Sequence, residues 1–395
     1  MASLALLPSV TFGLLEAEVF PWAFLFYCLY SRSVNKLLML LIFCMLMSSL
    51  YVVYVNGNDV LLEVFRSFLA YINSLLIFNL IMVSSSYKVS RWVGLVNLFF
   101  WAFILWGLVQ SSGILSSYDY IFKHIIPRGY SYSLSFMGDR GVTLMASEPA
   151  RAGIELIFIY LVVRFVTIPR KYILILDVVV LIFLAIVIKS AISLIFFVVC
   201  LAIFYRFKAF IFFGIVLAFS PFVVGTGDLI SSRAINLFVD LYHLNTFESM
   251  FNTLINTGGH RVISIYSSYA YGFLNPFGGG IGNWQTSSVD SLMLTGIDPS
   301  NIQFFKVHGG GEAVGFRSSG FIANFMLDLG VAGFILLFVY LYRQIKSYWK
   351  FDYANKALIF IFMLKILFIG SVGNPVSWIC FAVAIRARSI NKYEC

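Results

Sequence analysis

Residues 172–225 read YILILDVVVLIFLAIVIKSAISLIFFVVCLAIFYRFKAFIFFGIVLAFSPFVVG. Two short polar breaks, Lys189-Ser190 and Arg206-Phe207-Lys208, cut this stretch into three runs. Each run is about 18 residues, the length of a membrane-spanning helix. Backbone amides in lipid must find partners within their own segment, and the runs are long and uniform rather than short and alternating. They therefore predict helices and not the strands of a barrel.

The whole chain repeats this pattern. Of its 395 residues, 61% are hydrophobic and 11% are charged, with a mean hydropathy of +0.92. An ordinary soluble domain is roughly 45–50% apolar and 25% charged. The predicted fold class is all-α, a polytopic integral membrane protein. The net charge of +9 is explained by basic residues in short cytoplasmic loops, without a nucleic-acid partner. Cys28, Cys44, Cys200, Cys380 and Cys395 lie in apolar runs or at the C-terminus. They form neither a disulfide framework nor a zinc-type spacing. No basic segment precedes the first apolar stretch, so the first span is expected to be retained rather than cleaved.

In order, the apolar runs cover about 8–30, 37–56, 65–84, 92–115, 152–168, 172–188, 191–205, 209–225, 319–342, 357–374 and 375–387. They predict about 11 transmembrane helices. Pro8, Glu16, Glu18 and Pro21 leave open a division of the first into two half-helices or a re-entrant segment. Alternate turns hold Arg32 and Lys36; Lys88 and Arg91; Arg164, Arg170 and Lys171; Arg206 and Lys208; Arg343, Lys346, Lys350 and Lys356; and Arg386, Arg388 and Lys392. By the positive-inside rule these turns are cytoplasmic. The N-terminus is then outside and the C-terminus inside. No internal repeat suggests two symmetric transporter halves.

This orientation leaves two long loops on the outer face, at 116–151 and 226–318, within one transmembrane domain covering 1–395. The loops hold all four histidines, His124, His243, His260 and His308, together with Lys123, Arg128, Arg140, Arg151, Arg233, Arg261, Lys306 and Arg317. The orientation rule does not account for outer-face arginines. A guanidinium is always charged and presents a planar fork of donors, which suits phosphate. Solvated surface charge is the competing explanation.

The first loop ends Arg140-Gly-Val-Thr-Leu-Met-Ala-Ser147-Glu148-Pro149-Ala-Arg151. Ser147 suits an N-cap and Pro149 a first helical turn, and the helix start would offer free N–H groups to an anion. The second loop carries Gly278-Gly279-Gly280 and Gly309-Gly310-Gly311. Such triplets serve either as tight turns or as anion-holding nests. No Gly-Lys-Ser/Thr follows either, so neither is a Walker loop. Glu155, Asp177, Lys189, Asp328 and Lys365 lie in or near apolar runs, where interhelical pairing or snorkelling accounts for them.

Three features converge on one family. They are the Ser-Glu-Pro-Ala segment entering a central helix, the turn Asn275-Pro-Phe-Gly-Gly-Gly-Ile-Gly-Asn-Trp284, and Phe321-Ile-Ala-Asn-Phe-Met-Leu-Asp-Leu-Gly-Val-Ala-Gly333 leading the next span. With two large outer loops, this layout over about residues 90–345 resembles the Wzy-type O-antigen polymerases, which belong with the O-antigen ligases. Arg261 to Gly272 and Arg317 to Gly333 match the family's spacings of arginine, ten residues, glycine and arginine, fifteen residues, glycine. Both arginines fall in the second loop here, whereas the family divides its motifs between two loops.

The resemblance implies a glycosyltransferase at the periplasmic face of the bacterial inner membrane. It would join undecaprenyl-diphosphate-linked oligosaccharide units, with a hydroxyl of one unit attacking the anomeric carbon of another. A separate co-polymerase would set chain length. The chain has no Asp-x-Asp pair, which disfavours a nucleotide-sugar enzyme using a divalent metal, so no metal or cofactor is expected. Arg261 and Arg317 are expected to hold the diphosphate, with Arg140 and Arg151 as further anion holders. His308, Glu312 and Glu148 are candidate bases, His308 first and His260 last. An O-antigen ligase shares this layout. A lipid-linked oligosaccharide flippase is the alternative from another class.

Overall fold

The computed structural model describes residues 6–7, 11–12, 15–16, 29, 35–112, 141–206, 260–349, 352–370 and 372–393. The span expected at 209–225, most of that at 8–30, residues 116–140 of the first loop and 226–259 of the second lie outside them. Arg140, His124 and His243 fall there too. At the N-terminus Thr11–Phe12 (β1) pairs antiparallel with Leu15–Glu16 (β2), so these four residues are not helical.

The other described elements are helical. They are α1 (Lys36–Asn56), α2 (Leu61–Val83), α3 (Ser86–Ser111), α4 (Pro149–Val162), α5 (Ile173–Phe183), α6 (Ala191–Tyr205), α7 (His260–Leu274), α8 (Trp284–Leu294), α9 (Gln303–Gly309), α10 (Phe321–Trp349), α11 (Tyr353–Phe368) and α12 (Val376–Tyr393). Among the described residues five helical segments are long and apolar enough to cross a membrane: Lys36–Asn56, Asn58–Val83, Ser86–Ser111, Arg170–Ile188 and Phe321–Trp349. Apolar α6 is shorter.

Local chemistry sets the boundaries. The Asn35 side chain accepts from the N–H groups of Leu37 and Leu38 at the start of α1, and Gly57 ends it with φ 79°. Lys189 and Arg206 end the helices before them with φ 52° and 54°. These two residues are where the charge breaks cut the stretch 172–225. Residues 357–387 divide differently from the sequence reading. The first helix stops at Phe368, because Gly370 turns the chain with φ 115° and Asn374 accepts from the N–H of Val376 to start α12.

Helix α12 lies at the centre, packed on α2, α3, α4 and α11. Its Trp378 is fully buried against Phe78, Phe321 and Phe362, and Phe381 stacks on Phe362 at 4.1 Å. Outward faces are apolar: Phe43, Leu50 and Tyr51 on α1, Leu98 and Leu105 on α3, and Ile175 and Ile182 on α5. A bilayer covers such faces without penalty.

Basic residues assigned to cytoplasmic turns gather at one end of the bundle. Arg386 donates to the Ser84 carbonyl, Arg388 pairs with Asp352 at 2.6 Å and reaches the Phe165 carbonyl, and Arg206 covers the Tyr353 ring. Of the arginines expected to be functional, Arg151, Arg261 and Arg317 lie at the opposite end.

Helix α10 is not continuous. Gly330 breaks it with φ 62° and ψ −167°, a conformation reserved for glycine. The chain between α7 and α8 fills the break. Gly279 and Gly280 donate to the carbonyls of Leu327 and Asp328, and Ala332 donates to that of Pro276. Hydrogen bonds lost within the helix are thus replaced by bonds to Asn275–Gly280.

Candidate functional site

Helix α4 begins with Glu148 as N-cap and Pro149 in the first turn. The sequence pointed to Ser147 as the cap. Proline at the first helical position moves the cap one residue on, and no side chain caps the N–H groups there. The Glu148 carboxylate instead accepts from Arg261 in the first turn of α7, Nη2 to Oε2 2.5 Å. The two side chains are 40% and 32% exposed, so solvent and a ligand can reach the pair. Arg151 is half-buried on the same first turn of α4.

About two turns further along α4, Glu155 is buried and accepts from Asn374 Nδ2 at 2.6 Å. Asn374 belongs to the turn between α11 and α12, where the Gly370 backbone lies against the buried Lys365 side chain. The mouth of the bundle thus carries alternating charges on α4, arginine from α7 and an amide from the α11–α12 turn.

Arg317 sits just before α10. Its Nη2 donates to Ser67 Oγ on α2 at 2.6 Å, and its guanidinium lies 5.1 Å from the Trp284 ring centroid. One turn below Ser67, Tyr71 donates to Asp328 Oδ2 at 2.8 Å. The other oxygen, Oδ1, is buried without a hydrogen-bond partner among the described residues. Arg317 is anchored at the rim of this buried polar column. No direct contact joins it to the Glu148–Arg261 pair among the described residues.

His308 and Glu312 are placed differently. His308 is exposed in the last turn of α9, stacked on Phe304 with ring centroids 4.6 Å apart and Nδ1 3.0 Å from the Phe304 carbonyl. Glu312 is exposed on the following turn. Neither is bonded to Glu148, Arg261 or Arg317 among the described residues. His260 begins α7. Gly278–Gly280 are not an anion nest, because the N–H groups of all three donate to carbonyls of the protein itself. Gly309–Gly311 close α9, Gly311 donating to the Phe305 carbonyl at 3.0 Å.

The sequence reading passed over Ser67, Tyr71 and Asn374, and gave Trp284 only as the end of the turn that begins at Asn275. A signal existed in α2, where Ser67, Tyr71, Asn73, Ser74 and Asn79 are buried polar positions in an apolar span. Polar groups at that depth face the bundle interior. Asn374 was legible only as a residue before proline. Among the described residues no three His, Cys, Asp or Glu side chains are grouped as metal ligands. Comparison with protein-family models, with curated proteins and with solved structures finds no match to this chain.

Proposed function

We propose that this chain is a glycosyltransferase of the bacterial inner membrane that polymerises undecaprenyl-diphosphate-linked repeat units on the periplasmic face, in the manner of the O-antigen polymerases it resembles. The observation that carries this reading is the exposed Glu148–Arg261 pair at the uncapped start of α4. A diphosphate arriving there meets Arg261, Arg151 and the N–H end of α4, which the Glu148 side chain does not cap, and competes with Glu148 for the guanidinium. The displaced carboxylate is then free to accept the proton of an acceptor hydroxyl. The hydroxyl oxygen forms a bond to the anomeric carbon as the bond from that carbon to the phosphate oxygen breaks. The leaving diphosphate takes the negative charge beside the arginines. On this geometry Glu148 is a better base than His308 or Glu312. Arg317, anchored to Ser67, holds a second part of the lipid-linked donor or acceptor.

Arg261→Ala and Arg317→Ala test the reading in a strain lacking its own polymerase. Removing a donor that stabilises developing charge lowers turnover by about 10²–10³-fold. Lipopolysaccharide carrying a single repeat unit on its core is therefore expected. Normal ladders at unchanged protein level would sink the proposal, and core without any unit would indicate a ligase instead.

A further inference from the structure

Helix α7, the turn 275–283 and α8 form a hairpin whose two ends and tip lie at different depths. We infer that this hairpin is re-entrant: it dips from the outer face into the bilayer, and its tip around Phe277 is solvated by lipid hydrocarbon. The inference does not rest on the catalytic reading.

Depth follows from its neighbours. A Cβ on Gly272 would meet the carbonyl of Met326, and Asn275 and Pro276 lie against Gly330, so α7 runs parallel to the first part of α10. Gly330 is nine residues beyond Phe321, about 13 Å along the helix axis. The return path gives an independent measure on α1. Ile281 donates to Ser48 Oγ at 3.1 Å, whereas Asn283 meets Asn56 at 3.2 Å at the end of that helix. Ser48 is eight residues before Asn56, about 12 Å deeper. Gln285 then reaches Glu63 at the start of α2. Both routes put the tip about 12–13 Å below the ends of helices long enough to span a membrane, well into a hydrocarbon core of about 30 Å.

The tip's chemistry suits that depth. Phe273, Leu274 and Phe277 are 62%, 66% and 82% exposed, an apolar group that water would not favour at the end of a hairpin. The neighbouring α1 presents Leu50, Tyr51 and Val55 outward, so the apolar surface continues onto a helix that spans. Irregular backbone survives at membrane depth only when its polar groups are paired inside the protein. Here Gly278 donates to Asn275, Gly279 to Leu327, Gly280 to Asp328 and Ile281 to Ser48. The same descent holds Arg261, near the other end of α7, about 20 Å above the tip, at the level of lipid phosphates.

A nitroxide label tests this in nanodiscs of phosphatidylethanolamine and phosphatidylglycerol, on a chain with its native cysteines replaced by alanine. Labels go on Phe277→Cys, on Leu50→Cys as a lipid-facing reference and on Lys306→Cys as an aqueous one. The Phe277 label should relax faster with oxygen than with a nickel chelate, as at position 50, with the preference reversed at 306. Nickel accessibility like that at 306 would overturn the proposal, as would a label shielded from both reagents and broadened by a second copy. If the cysteine-free chain does not fold, benzoylphenylalanine at 277 in the native chain replaces the label. A lipid adduct at 277 supports re-entry, and its absence alongside an adduct at position 50 refutes it.

Discussion

Arg164 and Asp177 illustrate how this bundle accommodates charge. Asp177 stands in an apolar run, and the sequence supports interhelical pairing for it without naming the partner. That partner is Arg164, at 3.1 Å, which the charge count had assigned to a cytoplasmic turn. Tyr160 and Tyr205 donate to the same carboxylate at 2.5 and 2.6 Å, and Phe204 lies 4.2 Å from the guanidinium. Arg164 lies in a π-helical turn, Val163–Thr167, that extends α4. Asp177→Asn strands a buried cation and should cost about 3–5 kcal/mol, read as a lower unfolding midpoint in detergent. Replacing the buried group together, Arg164→Met and Asp177→Leu with Tyr160→Phe so that no buried hydroxyl loses its acceptor, should recover most of that loss. At the candidate site, Asn374→Ala removes the donor to the buried Glu155 carboxylate and the acceptor at the start of α12. A loss of about 1–3 kcal/mol is expected, measured in the same way.

At the scale of elements, the break in α10 was not readable. Gly330 and Gly333 sit in an apolar run, and glycine is common in straight membrane helices, so residues 319–342 read as one rod. Only the hydrogen bonds of the distant turn 275–280 reveal that the rod is split. A Cβ at Gly330 would lie 2.3 Å from the carbonyl oxygens of Asn275 and Pro276, in a backbone conformation that other residues avoid. Gly330→Ala should therefore yield little folded protein on size-exclusion chromatography. Gly94→Ala is the control. It lies within α3 with no atom near its added Cβ, and helix propensity predicts a gain of up to about 1 kcal/mol.

For the molecule as a whole, orientation and metal independence make separable predictions. Reporter domains inserted between residues 169 and 170 or after 349 should behave as cytoplasmic, and one at residue 300 as periplasmic. The reverse result would place the Glu148–Arg261 pair on the wrong side for lipid-linked repeat units. Under the proposed function, in which arginines rather than a divalent ion neutralise the leaving diphosphate, purified protein in nanodiscs should extend a defined lipid-linked repeat unit at the same rate with chelator present. Loss of turnover with chelator, restored by added Mg²⁺, would overturn that proposal.

Hydropathy is a local property, so the sequence by itself determined the membrane class, the helical content, and the breaks at Lys189 and Arg206. It also offered Arg261, Arg317, Arg140 and Arg151, with His308, Glu312 and Glu148, as candidate site residues, because charge is costly in lipid and conspicuous where it remains. Which of them meet is a property of packing. Arg261 and Glu148 are 113 positions apart, and no rule of spacing joins them. The packing of α7 on the broken α10, which brings Arg261 to the start of α4, does so. The tertiary structure alone decided that the turn Asn275–Gly280 of the second loop enters the break in α10, because only the folded chain shows where the displaced hydrogen bonds of α10 are made good.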